Sequence, residues 1–82
     1  MESLKEAIEQ GKVIIGADRT LKLLRKGELK EVYLSSNCPK QVKEDIEHYA
    51  KLHSIQLFRL KESNEELGVL CKKPFSISVI GI

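Results

Sequence analysis

The stretch GKVIIGADRT, residues 11–20, decides the fold. Its apolar run at residues 13–15 is too short for an interior helix and is β-branched throughout, which predicts a strand covered on both faces. Gly16 follows as a turn, and a basic helix begins near Ala17. Because a helix N-terminus carries unpaired N–H groups and the positive end of the macrodipole, this junction is suited to receive an anion such as a phosphate.

On both sides of this stretch, segments with a helical pattern alternate along the chain with segments that have a strand pattern. Apolar residues recur at helical spacing over residues 2–10, 17–26, 40–52 and 63–71. Short apolar runs predict strands at residues 13–15, 32–34, 55–58 and 77–82. The resulting order αβαβαβαβ predicts an α/β fold, a three-layer αβα sandwich whose four-stranded mixed sheet has helices on both faces.

Ligands of such sheets gather where strands end and loops lead into helices. We therefore expect one edge of the sheet to collect the Gly16 turn, the turn at Asn37 and residues 72–75.

The ends of three helices are marked by their residue types. Gly11 is expected to end the first helix in the left-handed C′ conformation, and Gly27 to end the second. The sequence Ser-Asn-Glu-Glu at residues 63–66 resembles a capping box, with Ser63 or Asn64 as the cap and Glu66 reaching back.

Length and composition limit the class of protein. Eighty-two residues, 41% hydrophobic and 32% charged, predict one globular domain over residues 1–82. No apolar run approaches the roughly 20 residues of a membrane span, and the acidic N-terminus lacks a secretory signal, which predicts a cytoplasmic protein without membrane partners. The net charge of +2 is too small to indicate nucleic-acid binding by itself. No triad, phosphate-binding loop or metal constellation is present, which argues against an enzyme or a cofactor.

The cysteines and histidines do not form a metal-binding pattern. Cys38 and Cys71 have neither CxxC spacing nor a neighbouring histidine, so we interpret them as buried or half-buried thiols, with a disulfide left open. His48 and His53 are five residues apart and cannot share a metal on one helix face, so structural roles are expected.

Three strings carry a resemblance to a known family: GKVIIGADRTLKLLRKGELKEVYLSSNCP at residues 11–39, KEDIEHYAKL at 43–52 and NEELGVLCKKPFSISVIGI at 64–82. In the order and spacing of these strings, the chain resembles the kink-turn-binding family of ribosomal proteins, and its L-thirty-e branch in particular. The resemblance covers nearly the whole chain. Its most specific parts are the junction at Gly16, the turn at Asn37 and the tripeptide Glu-Leu-Gly at residues 66–68.

The resemblance implies a non-catalytic protein that binds an RNA kink-turn, a sharply bent duplex with tandem sheared G·A pairs. Members insert the N-terminal end of the second helix into the widened groove and clamp an extruded nucleotide with the loop before the last strand. The positions that match this RNA-binding site are Gly16, Ala17, Asp18, Arg19, Thr20, Lys22, Asn37, Lys72, Lys73, Pro74 and Phe75. Many members have Asn-Glu where this chain has Asp18-Arg19, which leaves open whether Asp18 contacts RNA or only caps the helix.

The residue types at these positions suit RNA independently of the family. Proteins read RNA at irregular sites, because the deep groove of regular A-form RNA hides the base edges. Gly16 allows close backbone approach, although it could serve only as a tight turn. The cations neutralise phosphate, and Phe75 offers a stacking face unless it is a core residue at a strand start. Arg25 and Lys26, further along the helix, are expected to be merely solvated.

Three functional hypotheses follow. The first is a large-subunit ribosomal protein, monomeric when free, whose partners are rRNA and neighbouring ribosomal proteins. The second is a kink-turn binder in another ribonucleoprotein, such as a guide RNA or RNase P particle. The third is a protein-interaction module whose RNA site has decayed. An RNA site predicts that the cations converge at one edge, whereas a protein-binding module predicts an exposed apolar patch.

Overall fold

A computed structural model describes residues 2–82, with side chains described from Glu6 onward. The elements are α1 (Glu2–Glu9), β1 (Ile14–Ile15), α2 (Ala17–Arg25), β2 (Glu31–Leu34), α3 (Lys40–Leu52), β3 (Gln56–Arg59), α4 (Asn64–Leu70) and β4 (Val79–Gly81). The predicted alternation of helices and strands is confirmed. The last strand is shorter than predicted, because Ile77 precedes it and Ile82 follows it, although the N–H of Ile82 still donates to the Glu31 carbonyl oxygen at 2.9 Å.

The four strands form one mixed sheet in the order β1-β4-β2-β3. β2 and β3 are parallel, while β4 is antiparallel to both β1 and β2. Strands β1, β2 and β3 therefore run in one direction and β4 runs in the other. It follows that the ends of β1, β2 and β3 and the beginning of β4 all lie at one edge of the sheet, which we call the carboxyl edge.

Helices cover both faces of the sheet, as the sequence predicts. On one face, side chains of α1 and α4 pack against the sheet; this core includes Ile8, Tyr33, Leu67, Cys71, Ile77 and Ile80. On the other face, α2 and α3 pack against the sheet; this core includes Leu24, Val32, Leu34, Ile46, Ala50 and Val79. The fold is thus the predicted three-layer αβα sandwich.

β1 is an edge strand whose two faces both pack against the core. This strand lies at the margin of the sheet and pairs only with β4, through Ile14 with Gly81 and Ile15 with Ile80. Ile15 packs against the core on one face and Ile14 against the core on the other, so the strand is covered on both faces as predicted, although both side chains are only half-buried. The β-branched run indicated a strand correctly, but such a run does not report whether the strand lies at the margin or in the middle of the sheet.

All four helices end with the same hydrogen-bond pattern, a Schellman motif with a residue of positive φ at C′. Gly11 and Gly27 occupy this position with φ 69, as the sequence predicts, while Ser54 and Lys72 adopt φ 56 and φ 57 without being glycine. The defining bonds, of 2.8 to 3.1 Å, join Lys12 to Ala7, Glu28 to Leu23, Ile55 to Ala50 and Lys73 to Gly68. The ends of α3 and α4 could not be predicted from residue type, because Ser54 and Lys72 are not glycine.

The two cysteines are buried or half-buried thiols, as interpreted from the sequence, and His53 makes a structural contact. Cys38 is half-buried and Cys71 is buried, and both thiols are free. His53 lies at the end of α3, where its Nε2 is 3.0 Å from the carbonyl oxygen of Arg25, so it connects the ends of α2 and α3. Among the described side chains, no three or more His, Cys, Asp or Glu gather as potential metal ligands. No helix within residues 2–82 has the length and apolarity needed to span a membrane.

Candidate nucleic-acid interface

Backbone hydrogen bonds gather three loops at the carboxyl edge. The turn at Gly16 bonds to the first residue of β4, the end of β2 bonds to the segment before β4, and that segment bonds to the start of α4. These bonds run from Gly16 N to Val79 O at 3.1 Å, from Ser35 N to Ser78 O at 2.9 Å and from Ile77 N to Asn64 O at 2.8 Å. The Gly16 turn and the loop with Asn37 therefore meet at one edge, as expected, and the third segment there is residues 77–79, which follow the expected residues 72–75.

The N-terminus of α2 has no side-chain cap. Its N-cap residue, Gly16, has φ 105 and ψ 147, a conformation that residues with a Cβ rarely adopt. An added Cβ would meet no atom within 4 Å, so the space beside Gly16 is open. Since no side chain caps the first turn, its N–H groups are available to an incoming acceptor at the positive end of the macrodipole.

The exposed side chains of the first turns of α2 are charged. Asp18, Arg19 and Lys22 are all exposed, and Ala17 is half-buried against the α2/α3 core. Asp18 lies in the first turn but makes no capping hydrogen bond, so its carboxylate is free to accept from a ligand. The two cations lie one helical turn apart beside the open N-terminus, which adds positive charge to that end of the helix.

Thr20 must be removed from the predicted contact surface. Its side chain is 0% exposed, and its hydroxyl lies 3.5 Å from the carbonyl oxygen of Ile14. Its methyl group packs close to Gly81, where an added Cβ would lie 3.1 Å from Thr20 Cγ2. Helical periodicity turns this position inward, so Thr20 fixes α2 to the sheet and cannot contact RNA.

Asn37 lies on the carboxyl edge and is paired with the first residue of α4. Its Nδ2 group donates to Oδ1 of Asn64 at 3.1 Å, and the backbone N–H of Asn64 donates to Asn37 Oδ1 at 2.8 Å. Ser63 caps α4 by accepting from the N–H of Glu66 at 3.3 Å, so Ser63 is the cap. Asn37 is exposed, and part of its hydrogen-bonding capacity holds the loops together.

An apolar surface of Val69, Pro74 and Phe75, here called the apolar platform, lies between α4 and β4. Val69 is 77% exposed and Phe75 is 55% exposed, and both line one shallow cavity with Pro74 and Lys73. Phe75 is therefore a surface residue and not a core residue.

Gly68 brings the loop of the apolar platform onto α4. An added Cβ at this position would lie 2.1 Å from the carbonyl oxygen of Phe75, so only glycine lets the loop lie this close. Neither Gly68 nor Val69 was among the predicted site residues. Val69 could have been found from the sequence, because it is an apolar residue outside the inward stripe of Leu67, Leu70 and Cys71.

The two lysines of the predicted clamp lie in different surroundings. Lys73 borders the apolar platform and also lines a cavity with Val13 and Ile15. Lys72 occupies the C′ position after α4 and lines a cavity with Ile8 and Glu9. The structure therefore brings Lys73, Pro74 and Phe75 together but does not bring Lys72 to the same cavity.

Comparison with known proteins identifies the family to which this chain belongs. The sequence pattern of the "Ribosomal protein L7Ae/L30e/S12e/Gadd45 family" matches residues 1–82. The chain is similar to two proteins named "Large ribosomal subunit protein eL30". That of Sulfolobus acidocaldarius is 47% identical over 79 residues, 96% of this chain and 76% of the relative. That of Methanocaldococcus jannaschii is 40% identical over 79 residues, 96% of this chain and 72% of the relative.

A solved structure shows the same fold. The structure described as that of a protein with unknown function from Bacillus halodurans C has a TM-score of 0.85 over 96% of this chain and 78% of that chain, at 22% identity. At that identity the likeness concerns the fold alone. With the family pattern and the relatives above, the conclusion is plain: this chain belongs to the Ribosomal protein L7Ae/L30e/S12e/Gadd45 family.

Proposed function

We propose that this protein is a non-catalytic component of the large ribosomal subunit that binds an RNA kink-turn through the carboxyl edge of its sheet. The similarity to proteins named as large ribosomal subunit protein eL30 supports this function. The observation that carries it is an uncapped, basic helix N-terminus at the carboxyl edge, bonded to the start of β4, with an exposed apolar platform on the loop that leads into β4. Such a surface offers donors and positive charge to the backbone and a stacking face to an unpaired base.

In this proposal, different groups of residues contact different parts of the RNA. The N–H groups of the first turn of α2 and the exposed Asp18 meet the sheared G·A pairs, whose edges are accessible at the bend. Arg19 and Lys22 neutralise phosphates. Phe75 and Val69 hold the extruded nucleotide, and stacking of this kind contributes about 1 to 3 kcal/mol per base. The protein acts as a monomeric single domain in the cytoplasm, beside rRNA and neighbouring ribosomal proteins.

A gel-shift titration against two RNAs tests the proposed function. One RNA is a consensus kink-turn, and the other has Watson–Crick pairs in place of the tandem G·A pairs. We expect tight binding to the first RNA and at least tenfold weaker binding to the second. Equal affinity for the two, or no binding to either, would contradict the proposal and direct attention to protein partners of the apolar platform.

A matched pair of variants locates the RNA surface. Phe75→Ala removes a 55% exposed aromatic ring from the apolar platform, whereas Leu52→Ala removes a 65% exposed apolar side chain from the far end of α3. We expect Phe75→Ala to weaken kink-turn binding by roughly fivefold to a hundredfold, corresponding to one lost stacking contact. The Leu52→Ala variant should bind as the unmodified protein does, and equal effects of the two variants would place the RNA elsewhere.

A further inference from the structure

The strand β3 has an open outer side. It lies at one margin of the sheet and pairs with β2 alone, and no strand within residues 2–82 pairs with its other side. Three of its four residues, Gln56, Phe58 and Arg59, are exposed. The opposite margin is formed by β1, which has only two residues, both half-buried. The outer side of β3, here called the open margin, is therefore the more accessible of the two.

Backbone N–H and C=O groups point outward at two positions of β3. The N–H of Leu60 donates to the carbonyl oxygen of Leu34 at 2.9 Å. Because alternate residues of a strand bond to the same neighbour, the backbone groups of Phe58 also point to β2, whereas those of Leu57 and Arg59 point away from it. No described residue outside the ladder bonds to the backbone of Leu57 or Arg59. Two donors and two acceptors are therefore left for another strand.

β3 lacks the features that commonly keep a sheet margin from pairing. Natural proteins block such margins with proline, with bulges, with charged side chains or with a covering element. The register from Glu31 with Gln56 to Leu34 with Arg59 is continuous, without a bulge or a proline. Arg59 is the one charged residue of the strand, and its guanidinium donates to Glu47 Oε1 of α3 at 3.0 Å. The open margin can therefore accept an extended segment.

An aromatic pair beside the open margin indicates which side chain such a segment carries. Tyr33 and Phe58 are register partners in β2 and β3, and their rings stack with centroids 5.1 Å apart and planes 18° apart. Phe58 is 39% exposed. Since neighbouring strands are about 4.8 Å apart, a residue opposite Phe58 on an added strand would continue the same stack. In an antiparallel arrangement this is a non-hydrogen-bonded pair, whose side chains lie closest, so an aromatic residue fits there.

Charge defines the rest of the segment and argues against a second copy of this chain. Residues 56–61 include two cations, Arg59 and Lys61, and no acid. Arg59 has Glu47 as its partner, but Lys61 is exposed and forms no ion pair among the described side chains. Pairing of two open margins would bring together the cations of both copies, whereas an acidic residue three positions from the aromatic one would lie beside Lys61. The complementary segment is therefore acidic.

We propose that the open margin binds an extended acidic segment of a neighbouring protein, which adds a fifth strand to the sheet. Backbone hydrogen bonds to Leu57 and Arg59 provide affinity, while the contact with Phe58 and the charge of Lys61 provide specificity. The proposal goes beyond RNA binding, because β4 and β2 lie between this margin and β1, which leads into the turn before α2. The protein can therefore hold RNA and a protein partner at the same time.

A synthetic peptide tests the added strand. The probe is Glu-Thr-Thr-Tyr-Thr-Thr-Glu, and the control peptide is methylated on the backbone nitrogens of the two residues that flank tyrosine. We expect the probe, in an NMR titration, to shift the amides of Leu57 and Arg59 and to slow their hydrogen exchange, whereas the methylated peptide should not. Equal effects of the two peptides, or no change at either amide with the probe at millimolar concentration, overturn the proposal.

Two variants of Arg59 distinguish the backbone from the side chain. Arg59→Pro and Arg59→Gln both remove the ion pair with Glu47, but only proline removes the outward N–H, and neither removes a ladder bond to β2. We expect Arg59→Pro to bind the probe peptide about tenfold more weakly than Arg59→Gln. Equal binding by the two variants overturns the proposal. Should Arg59→Pro fail to fold, the methylated peptide removes hydrogen bonds at the same margin from the other side.

Phe58→Leu tests the aromatic contact without a change in the backbone. It should weaken binding of the probe about three- to tenfold, and it should not affect binding of a peptide with threonine in place of tyrosine. Val69→Ala, which removes apolar surface from the apolar platform, should change neither affinity. If Phe58→Leu weakens both peptides equally, or neither of them, the aromatic contact is wrong and the proposal fails.

Two further measurements distinguish this proposal from a second copy and from the proposed function. Sedimentation of the protein alone should show a monomer; a dimer that dissociates in Arg59→Pro would mean that a second copy occupies the margin, against the proposal. Arg59→Pro should bind kink-turn RNA as the unmodified protein does, and loss of that binding would place RNA at the open margin instead. If no kink-turn RNA binds at all, the proposed function fails, and the peptide titration still tests the open margin.

Discussion

Asn37 and Asn64 hold each other through two hydrogen bonds across the carboxyl edge. The N–H of Asn64 donates to Asn37 Oδ1 at 2.8 Å, and Asn37 Nδ2 donates to Asn64 Oδ1 at 3.1 Å. The carbonyl of Asn64 in turn accepts from the N–H of Ile77 at 2.8 Å. The pair therefore links the loop before α3 to the start of α4 and to the segment that follows the apolar platform.

Removing Asn37 should lower the stability of the protein more than removing Asn64. Asn37→Ala removes both bonds and leaves the Asn64 N–H unpaired, whereas Asn64→Ala removes only one bond. We expect the free energy of unfolding to fall by about 1 kcal/mol in Asn37→Ala and by about half as much in Asn64→Ala, since the pair is exposed. Urea denaturation measures both values. Equal losses in the two variants would show that the bond to the Asn64 backbone contributes nothing.

Gly16→Ala separates backbone strain from RNA contact when it is compared with Gly11→Ala. Both glycines have positive φ, 105 and 69, and an added Cβ meets no atom within 4 Å at either. Gly11→Ala should lose about 1 to 2 kcal/mol of stability from strain, and Gly16→Ala, whose backbone lies in a region nearly restricted to glycine, about 1 to 3 kcal/mol. Only Gly16→Ala should also weaken kink-turn binding, by tenfold or more, because its Cβ enters the proposed interface. Comparable affinities of the two variants in a gel shift would contradict close RNA approach at Gly16.

The layer order and the edge that carries the site could be predicted because they follow from local patterns. Apolar periodicity predicted eight elements, and the rule that ligands gather where strands lead into helices placed Gly16 and Asn37 together. Burial was harder to predict, because it depends on neighbours distant in sequence. The half-buried β1 reflects its place at the sheet margin, and the inward position of Thr20 reflects its packing against Gly81.

The close approaches between elements could not be predicted at all. The contact of Gly68 with the Phe75 backbone and the pairing of Asn37 with Asn64 join segments that no periodic pattern connects. Similarly, the left-handed conformation of Lys72 arises from the Schellman end of α4 and not from its residue type.

Gly68→Ala should destabilise the protein although it raises helix propensity. Alanine is about 1 kcal/mol better than glycine inside a helix, but its Cβ would lie 2.1 Å from the Phe75 carbonyl oxygen. We expect a net loss of about 1 to 3 kcal/mol, as for overpacked cores, together with weaker RNA binding through a displaced apolar platform. Val69→Ala, at the next and exposed position, should change stability by less than about 0.5 kcal/mol. A more stable Gly68→Ala protein would refute the close loop packing.

Lys72→Gly should stabilise the fold. Lys72 has φ 57 at the end of α4, a conformation that costs a residue with a Cβ about 1 kcal/mol or more relative to glycine. The greater freedom of glycine in the unfolded chain offsets part of this gain, so we expect about 0.5 kcal/mol in urea denaturation. Lys72→Ala removes the same charge and keeps the strain, so it should show no gain. If the two variants have equal stability, the left-handed conformation of Lys72 carries no cost.

Stability should decline at alkaline pH partly through Cys71. Burial raises the pKa of this 8% exposed thiol above its ordinary value of 9.0, with Lys73 opposing the rise. Because the folded state holds this proton more tightly than the unfolded state, the contribution is fully present below the unfolded pKa and is lost as pH rises through the folded pKa. The free energy of unfolding, measured by urea denaturation from pH 8 to 11, should therefore fall more steeply in the unmodified protein than in Cys71→Ala. Parallel curves for the two proteins would show that the Cys71 thiol ionises equally in the folded and unfolded states.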